Sequence, residues 1–360
     1  MTQSSQLKIA VVGGGLIGRK HIEIVSRLAH LDAVIDPDPA ARDLAAERGC
    51  TWSDDLDSYL GDSRPDGVII ATPNQLHLPH GSACLNAGIP ALIEKPLAEN
   101  SANARQLADL SDETGIPVLV GHHRRHSARA QAAKSILESG RLGRIVVINA
   151  QFWIYKPDDY FDMDWRRQEG GGPTYINLIH DVDLLRYFCG EVTYVQTNES
   201  HAVRGLPVED TSAMILEFDT GALATATISD TVPAPWGWEQ TSAENPAYCH
   251  VETSSYQIGG TDGSLSIPDL RLWFHPAEKS WFAPIDSELI PHDEWDPVEQ
   301  QFRHFLDVIA GHTAPLVSAR EGLRNLEVLE AIKNAAIHGG TQVVGAQAGP
   351  LPALNWTLPD

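Results

Sequence analysis

Leu7-Lys8-Ile9-Ala10-Val11-Val12-Gly13-Gly14-Gly15-Leu16-Ile17-Gly18 is the stretch that decides the fold. Leu7 to Val12 is a short apolar run of the kind a parallel strand buried on both faces requires. It leads directly into Gly13 to Gly18, a full match to G-x-G-x-x-G. Gly13 permits the tight turn, Gly15 lets the backbone approach a pyrophosphate, and Gly18 lets the next helix lie close to the strand. That helix, from about Leu16 to Ala29, points its N-terminal N–H groups and its dipole at the phosphates. Leu31 to Ile35 reads as the second strand and ends at Asp36, an acid placed to accept hydrogen bonds from the adenosine ribose hydroxyls. Glycines alone specify a turn. Strand, glycines, helix, strand and acid in that order specify a dinucleotide-binding βαβ unit.

The pattern continues outward. Asp38 to Arg48 reads as a helix closed by Gly49. Gly67 to Ala71 is a buried strand ending in Thr72-Pro73-Asn74, followed by a helix from Gln75 to Ala87. Pro90 to Ile93 is a strand ending in Glu94-Lys95-Pro96. Ser101 to Thr114 is a helix, and Pro117 to Gly121 is the last strand of the series. Alternation of this kind means a doubly wound parallel sheet, with ligands beyond the carboxyl ends of its strands. Gly13 to Gly18, Asp36, Thr72 to Asn74, Glu94-Lys95 and Gly121 to Arg125 all fall at such ends.

Beyond residue 125 the pattern changes. Ser127 to Ser139 reads as a linking helix and Arg144 to Phe152 as β-rich. Strand-like runs recur at Val192 to Glu199, Met214 to Phe218, Ala222 to Ser229, His250 to Ile258, Ser264 to Ile267 and Leu270 to Phe274. One helix, Leu178 to Phe188, precedes them; Val298 to Ala310 and Arg320 to Ile337 follow. The expectation is an α/β chain of two domains: residues 1–125 as a Rossmann domain, and residues 126–360 as an α+β domain with a large, open, mainly antiparallel sheet. Such a sheet has one face left to cover, which suggests a homo-oligomer, dimer or tetramer, formed through it.

The chain has 360 residues, enough for two cores. A formal net charge of -22 argues against nucleic acid and anionic membranes as partners. The four cysteines are widely spaced and form no C-x-x-C pair, so neither zinc nor a disulfide framework is indicated. Met1 to Gln6 is polar, with no apolar signal core, and no run is long enough to span a bilayer; cytoplasmic residence is the expectation.

Two stretches carry candidate chemistry. Lys95 closes a strand at the crevice and precedes a proline, which biases it toward extended geometry. A lysine beside a bound nicotinamide can donate or accept the proton that accompanies hydride transfer; the alternative is a surface lysine at a strand end. In Gly170-Gly171-Gly172-Pro173-Thr174-Tyr175-Ile176-Asn177-Leu178-Ile179-His180-Asp181-Val182-Asp183, a helix would put Asn177, His180 and Asp181 on one face. His180 suits acid–base work near neutral pH and Asn177 suits holding a hydroxyl. The alternative is a solvated helix face with His180 satisfied by Asp183 or a carbonyl. His122, His123 and His126 lack a carboxylate partner, so no metal site is read there. Arg124 or Arg125 is placed to contact cofactor or substrate. Trp153, Tyr155, Tyr160, Phe161 and Trp165, with Arg166-Arg167, wall either a ring substrate or a core.

Taken together these residues resemble the Gfo/Idh/MocA family of nicotinamide-dependent oxidoreductases. The matching pieces are the Gly13 to Gly18 loop, Thr72-Pro73-Asn74 with His77, Glu94-Lys95-Pro96, Gly121 with Arg124-Arg125, Gly170 to Gly172, His180 with Asp183, and Ile258 to Leu265. The resemblance covers nearly the whole chain. It implies a dehydrogenase that oxidises a secondary hydroxyl of a sugar, cyclitol or related polyol, with Lys95 as principal acid/base and His180 assisting. It implies that Gly13, Gly15, Leu16, Ile17, Gly18, Asp36, Thr72, Pro73, Asn74, His77, Glu94 and Lys95 bind the cofactor. Arg124, Trp153, Tyr155, Trp165 and Asn177 would line the substrate pocket. One departure stands out: the family commonly has an aspartate four residues before the histidine, and here that position is Ile176, with Asn177 beside it. Asp36 favours NAD, because a carboxylate repels a 2′-phosphate; Arg42, a few residues on, keeps NADP open. Other readings on the same scaffold are an NAD-retaining glycoside-cleaving enzyme, a cis-dihydrodiol dehydrogenase, and a non-catalytic dinucleotide-binding regulator.

Overall fold

The computed structural model describes residues 7–168 and 170–345. Met1 to Gln6 and Glu169 lie outside the described residues. The chain divides into two compact units: Met1–Gln131 with Asp293–Leu326, and Ala132–His292 with Glu327–Asp360.

The first unit opens with β1 (Lys8–Val12), α1 (Leu16–Leu28), β2 (His30–Ile35), α2 (Pro39–Arg48), β3 (Thr51–Ser53), α3 (Leu56–Asp62), β4 (Gly67–Ile70), α4 (His77–Asn86), β5 (Ala91–Ile93), α5 (Ser101–Thr114) and β6 (Val118–Val120). The strands form one parallel sheet in the order β3-β2-β1-β4-β5-β6. β1, β4, β5 and β6 are buried almost throughout, which is why they read as unbroken apolar runs. α2 begins where Asp38 accepts from Ala40 N and ends at Gly49 in the left-handed region, φ 68°. β3 and α3 are not in the sequence reading. β3 is three residues long and largely polar, and α3 spans two turns, too little for either period to register.

The second unit contains α6 (Ala128–Glu138, beginning in the first), β7 (Ile145–Trp153), α7 (Ile179–Cys189), β8 (Val192–Ser200), β9 (Thr211–Phe218), β10 (Leu223–Ser229), α8 (Trp238–Thr241), β11 (Tyr256–Gly260), β12 (Gly263–Ile267), β13 (Arg271–Phe274) and β14 (Asp286–Leu289). With β15 (Gln342–Val343) these strands make a nine-stranded sheet, β14-β13-β12-β11-β7-β10-β9-β8-β15. All pairings are antiparallel except β7 with β10. Alternate residues of β9 are buried (Ser212, Met214, Leu216, Phe218) and the rest face outward, so one face is packed and the other open. The open face carries Val147, Ile215 and Leu223, each about half exposed.

Between these, α9 (Pro297–Ile309) and α10 (Ala319–His338) follow β14. The structure corrects the expected division at this point: Asp293–Leu326 packs with the first unit. α9 buries Phe302 and Phe305 in the core of the parallel sheet. The contact is close because β4 begins with Gly67, where a Cβ would meet Ile309 Cδ1 at 2.5 Å. Asp296 caps α9 and also bonds Lys20 of α1 at 2.7 Å. The segment ahead of α10 covers the edge strand β6: Val120 N donates to Val317 O at 2.8 Å. The apolar period of α9 shows that it has a face to bury; it does not show in which core. No helix among the described residues is long and apolar enough to cross a membrane.

Candidate functional site

The glycine loop leaves β1 at its carboxyl end. Gly13 has φ 101°, and a Cβ there would stand 2.5 Å from Ala71 O. A Cβ on Gly18 would stand 1.9 Å from Gly13 O. Packing therefore fixes both positions as glycine. Gly15 is different: a Cβ there would meet nothing within 4 Å. It is the N-cap of α1 and supplies no side-chain hydrogen bond, so the first N–H groups of the helix remain for a ligand. Asp36 clamps this loop to the end of β2. Its Oδ2 accepts from Gly14 N at 2.6 Å and its Oδ1 from Asp38 N at 2.8 Å.

A cavity of about 460 Å³ opens here. Of the expected cofactor residues, Gly13, Gly15, Asp36, Thr72 and Pro73 line it. Asp54, Asp55, Leu56, Leu76 and His80 line it too, and the sequence reading missed them. Helix-start N–H groups, a fixed carboxylate and apolar walls suit the adenosine half of a dinucleotide. Arg42 is drawn aside, its guanidinium 5.7 Å over the Trp52 ring. Leu16 is almost fully exposed at the helix start. His77 is fully buried; Nδ1 lies 2.7 Å from Pro96 O and Nε2 2.9 Å from Thr72 O. It ties the Thr72 turn to the Lys95-Pro96 turn and has no surface for a cofactor, and burial holds its pKa below the usual histidine value.

Lys95 follows β5 and is half-buried. Its neighbour Glu94 is almost completely buried, and His21 Nε2 of α1 lies 2.7 Å from Glu94 Oε1. Burial pushes the Glu94 carboxyl up, but the His21 hydrogen bond and the cations His21, His123 and Lys95 more than offset it, so the pKa lies below the usual value. Lys95 N donates to Glu94 Oε2 at 3.3 Å. Gly121 makes room, since a Cβ there would fall 2.8 Å from Glu94 Oε2. Arg124, Arg125 and His126 are buried in the turn after β6; Arg125 pairs with Glu321 at 3.0 Å, and Asn325 Nδ2 lies 3.1 Å from His122 Nε2. Among the described residues no group of three or more His, Cys, Asp or Glu side chains is arranged to hold a metal ion.

In the second unit, Thr174–Leu178 is wound as a π-helical turn that runs into α7. Asn177 therefore sits on that turn and not on the α-helix that carries His180. His180, Asp181 and Asp183 are buried, and the Tyr256 hydroxyl donates to Asp181 Oδ1. Asn177 Oδ1 is buried and has no hydrogen-bond partner among the described residues. Glu209 braces the entry to this turn: its Oε1 accepts from Thr174 N at 3.0 Å, and its carboxylate fills the space a Cβ on Gly172 would need. Trp153 Nε1 donates to Thr227 Oγ1 at 2.9 Å, and its ring meets Trp236 edge-on at 5.2 Å. Tyr155 and Trp165 are half-exposed. The expected substrate residues thus fall in two sets, Lys95 and Arg124 in the first unit, the others in the second.

Residues 7–122 match the oxidoreductase family with an NAD-binding Rossmann fold, and residues 130–266 match the Gfo/Idh/MocA C-terminal domain. The chain is 27% identical over 235 residues to 4-carboxy-2-hydroxymuconate-6-semialdehyde dehydrogenase of Sphingobium sp., covering 64% of this chain and 74% of that one. It is 26% identical over 368 residues to inositol 2-dehydrogenase 2 of Saccharopolyspora erythraea, covering 97% and 98%. Its fold is like that of the WlbA dehydrogenase from Bordetella pertussis, solved with NADH and UDP-GlcNAcA, at TM-score 0.76 and 22% identity, over 95% of this chain and 100% of that one.

Proposed function

Because the chain belongs to the Gfo/Idh/MocA family of NAD-binding oxidoreductases, we propose that it is a dehydrogenase oxidising a secondary hydroxyl of a sugar, cyclitol or related polyol. The observation that carries this reading is Lys95, set at the carboxyl edge of the parallel sheet beside a carboxylate that His21 keeps ionised. NAD supplies the hydride acceptor when bound. The start of α1 holds its phosphates, and Asp36 faces its adenosine ribose. Lys95 takes the proton of the reacting hydroxyl, and Glu94 keeps the main chain of Lys95 in place through its N–H. His180 is the second proton-carrying group. Asn177, whose side-chain oxygen accepts no hydrogen bond among the described residues, takes one from a substrate hydroxyl. In this chain Asn177 and not Ile176 offers a polar group next to the histidine.

The test is NADH formation from NAD over a panel of inositols, aldoses, sugar acids, glycosides and cyclic dihydrodiols. Turnover on one class, reduced by about 10²–10⁴ in Lys95→Ala with NADH binding kept, is the expected result. A non-catalytic dinucleotide-binding role is the competing reading, and apolar Ile176 favours it. Silence across the panel, with NADH bound, selects that role. We further propose a homo-oligomer formed across the open face of the nine-stranded sheet, and residence in the cytoplasm.

A further inference from the structure

Lys156 lies just beyond β7, and its side chain is only 9% exposed. Its Nζ makes no hydrogen bond among the described residues. The neighbouring carboxylate is Asp230, whose Oδ2 is 3.8 Å away, too far for a hydrogen bond. Asp230 is already committed: Arg204 Nε donates to its Oδ1 at 2.8 Å, and Arg204 Nη2 donates to the carbonyls of Asp230 and Lys156 at 2.6 and 2.8 Å. Lys156 Nζ stands 4.8 Å over the Tyr160 ring. Arg166 stacks on the same ring at 3.9 Å; its Nη1 donates to Tyr160 O, while its Nε is buried without a hydrogen bond. A buried lysine and a part-buried arginine thus share one aromatic ring, and each keeps a buried donor in reserve. A buried cationic donor without a hydrogen bond is costly, and an internal ion cluster formed for stability would have bonded Lys156 Nζ and Arg166 Nε as well.

The position links this pair to the reaction. A Cβ on Gly171 would stand 2.3 Å from Trp165 O and 2.9 Å from Arg166 Cα. The glycine run therefore lies directly against the Arg166 turn, and it leads into the turn bearing Asn177. Among the buried polar atoms of this unit that make no hydrogen bond within the described residues are two cationic donors, Lys156 Nζ and Arg166 Nε, and one amide acceptor, Asn177 Oδ1. A molecule carrying both an anionic oxygen group and a hydroxyl complements that set.

We propose that Lys156 and Arg166, stacked on Tyr160, form an anion-binding site, and that the substrate is a polyol bearing a carboxylate or a phosphate ester that this site reads. The proposal rests on the dehydrogenase reading for the word substrate, not for the site. Burial pulls the Lys156 ammonium down to about 8, with Asp230 and Glu209 opposing and Arg204 and Arg166 reinforcing. Anion binding should then weaken as pH rises through that value, because the group that must be charged loses its proton.

The test uses sugars that differ at one carbon: D-glucose, D-glucuronate and D-glucose 6-phosphate, with the D-galactose series alongside. Each is titrated into the NADH-bound protein and binding is read by calorimetry. At least one anion should bind ten-fold or more tighter than its neutral parent, and the acid and phosphate arms separate the two sources. Lys156→Met should abolish the preference. Lys156→Arg should keep it and remove its loss above pH 8, which a purely structural lysine would not do. Equal binding of neutral and anionic probes, or a preference that survives Lys156→Met, overturns the proposal. Lys95→Ala should keep the preference and lose turnover. A preference without NADH formation from any probe would leave the anion site standing and sink the dehydrogenase reading.

Discussion

His21 Nε2 and Glu94 Oε1 are 2.7 Å apart, with the histidine wholly buried and the carboxylate nearly so. The pair joins the helix that follows the glycine loop to the residue that precedes Lys95. Removing His21 strands a buried carboxylate, and breaking such a pair costs about 3–5 kcal/mol. His21→Ala should therefore lower urea-unfolding stability at pH 7 by an amount of that order. The sign with pH follows from the depressed Glu94 value. The ionised carboxylate's contribution is complete above the ordinary glutamate range, about pH 4.3, and is lost as pH falls through its folded value. The difference between wild type and His21→Ala should shrink in acid. A constant gap from pH 7 to pH 3 would show that the pair contributes packing alone.

Gly121 tests the same arrangement from the other side. Gly121→Ala places a Cβ 2.8 Å from Glu94 Oε2 and 2.9 Å from Glu94 Cα. Something must shift, and Glu94 with its bond to Lys95 N is what lies in the way. Turnover should fall at least ten-fold while the Kd for NADH, read by fluorescence, moves by less than about three-fold, since a misplaced catalytic group costs rate before it costs binding. Equal losses in both would mean that the whole sheet edge had moved.

Cofactor choice follows from the cavity beside the glycine loop. Three carboxylates, Asp36, Asp54 and Asp55, line it, and Arg42 is held against Trp52. A 2′-phosphate brought there meets like charge. NADH should bind more tightly than NADPH by fluorescence titration. Asp36→Ala should weaken NADH about ten-fold, because the clamp on Gly14 N is lost, without making NADPH the better ligand while Asp54 and Asp55 remain. Tighter NADPH binding by the wild type would sink the assignment.

Much of this was legible in the sequence, for reasons that also mark its limits. β1, the glycine loop and α1 could be read because a strand buried on both faces is continuously apolar and a phosphate-binding turn demands glycine at fixed spacing. Lys95 could be singled out by its place after a buried strand. His21 could not, because nothing local says that a histidine on α1 will meet an acid 73 residues on. Lys156 is one polar residue among aromatics, and nothing local says that it will be buried with its Nζ making no hydrogen bond among the described residues. The strand expected over His250 to Ile258 begins only at Tyr256, and the π turn under Asn177 alters a spacing that α-helical periodicity assumed.

Self-association has a concrete test. Val147 pairs with Leu223, and Ile215 pairs with Thr225, across β7, β10 and β9 on the open face. Scattered exposed apolar residues are ordinary, but a patch on a flat sheet marks an interface. Light scattering should give a multiple of the chain mass. Ile215→Glu should reduce it to one chain without loss of secondary structure. A monomeric wild type at working concentration would remove the proposal.

Lys333 on α10 donates to Glu199 Oε2 at 2.7 Å and to Glu209 Oε2 at 2.9 Å. Glu209 in turn accepts from Thr174 N, at the start of the turn that leads to Asn177 and His180. Burial acts to lower the Lys333 pKa, but the two carboxylates outweigh it and raise it. Its stabilisation is therefore complete below the ordinary lysine value of about 10.4 and is lost as pH rises through the folded value. Lys333→Met leaves the buried Glu209 facing the part-buried Glu199 and should cost about 3–5 kcal/mol at pH 7. Adding Glu199→Gln removes one of the opposed charges. If the three side chains act as one unit, the double variant should recover part of that loss, with a coupling of about 0.5–3 kcal/mol in a double-mutant cycle. Turnover should follow the same order, wild type above the double variant and the double variant above Lys333→Met, because Glu209 sets where the Thr174 turn begins. Strict additivity of the two substitutions would break the link between Lys333 and that turn.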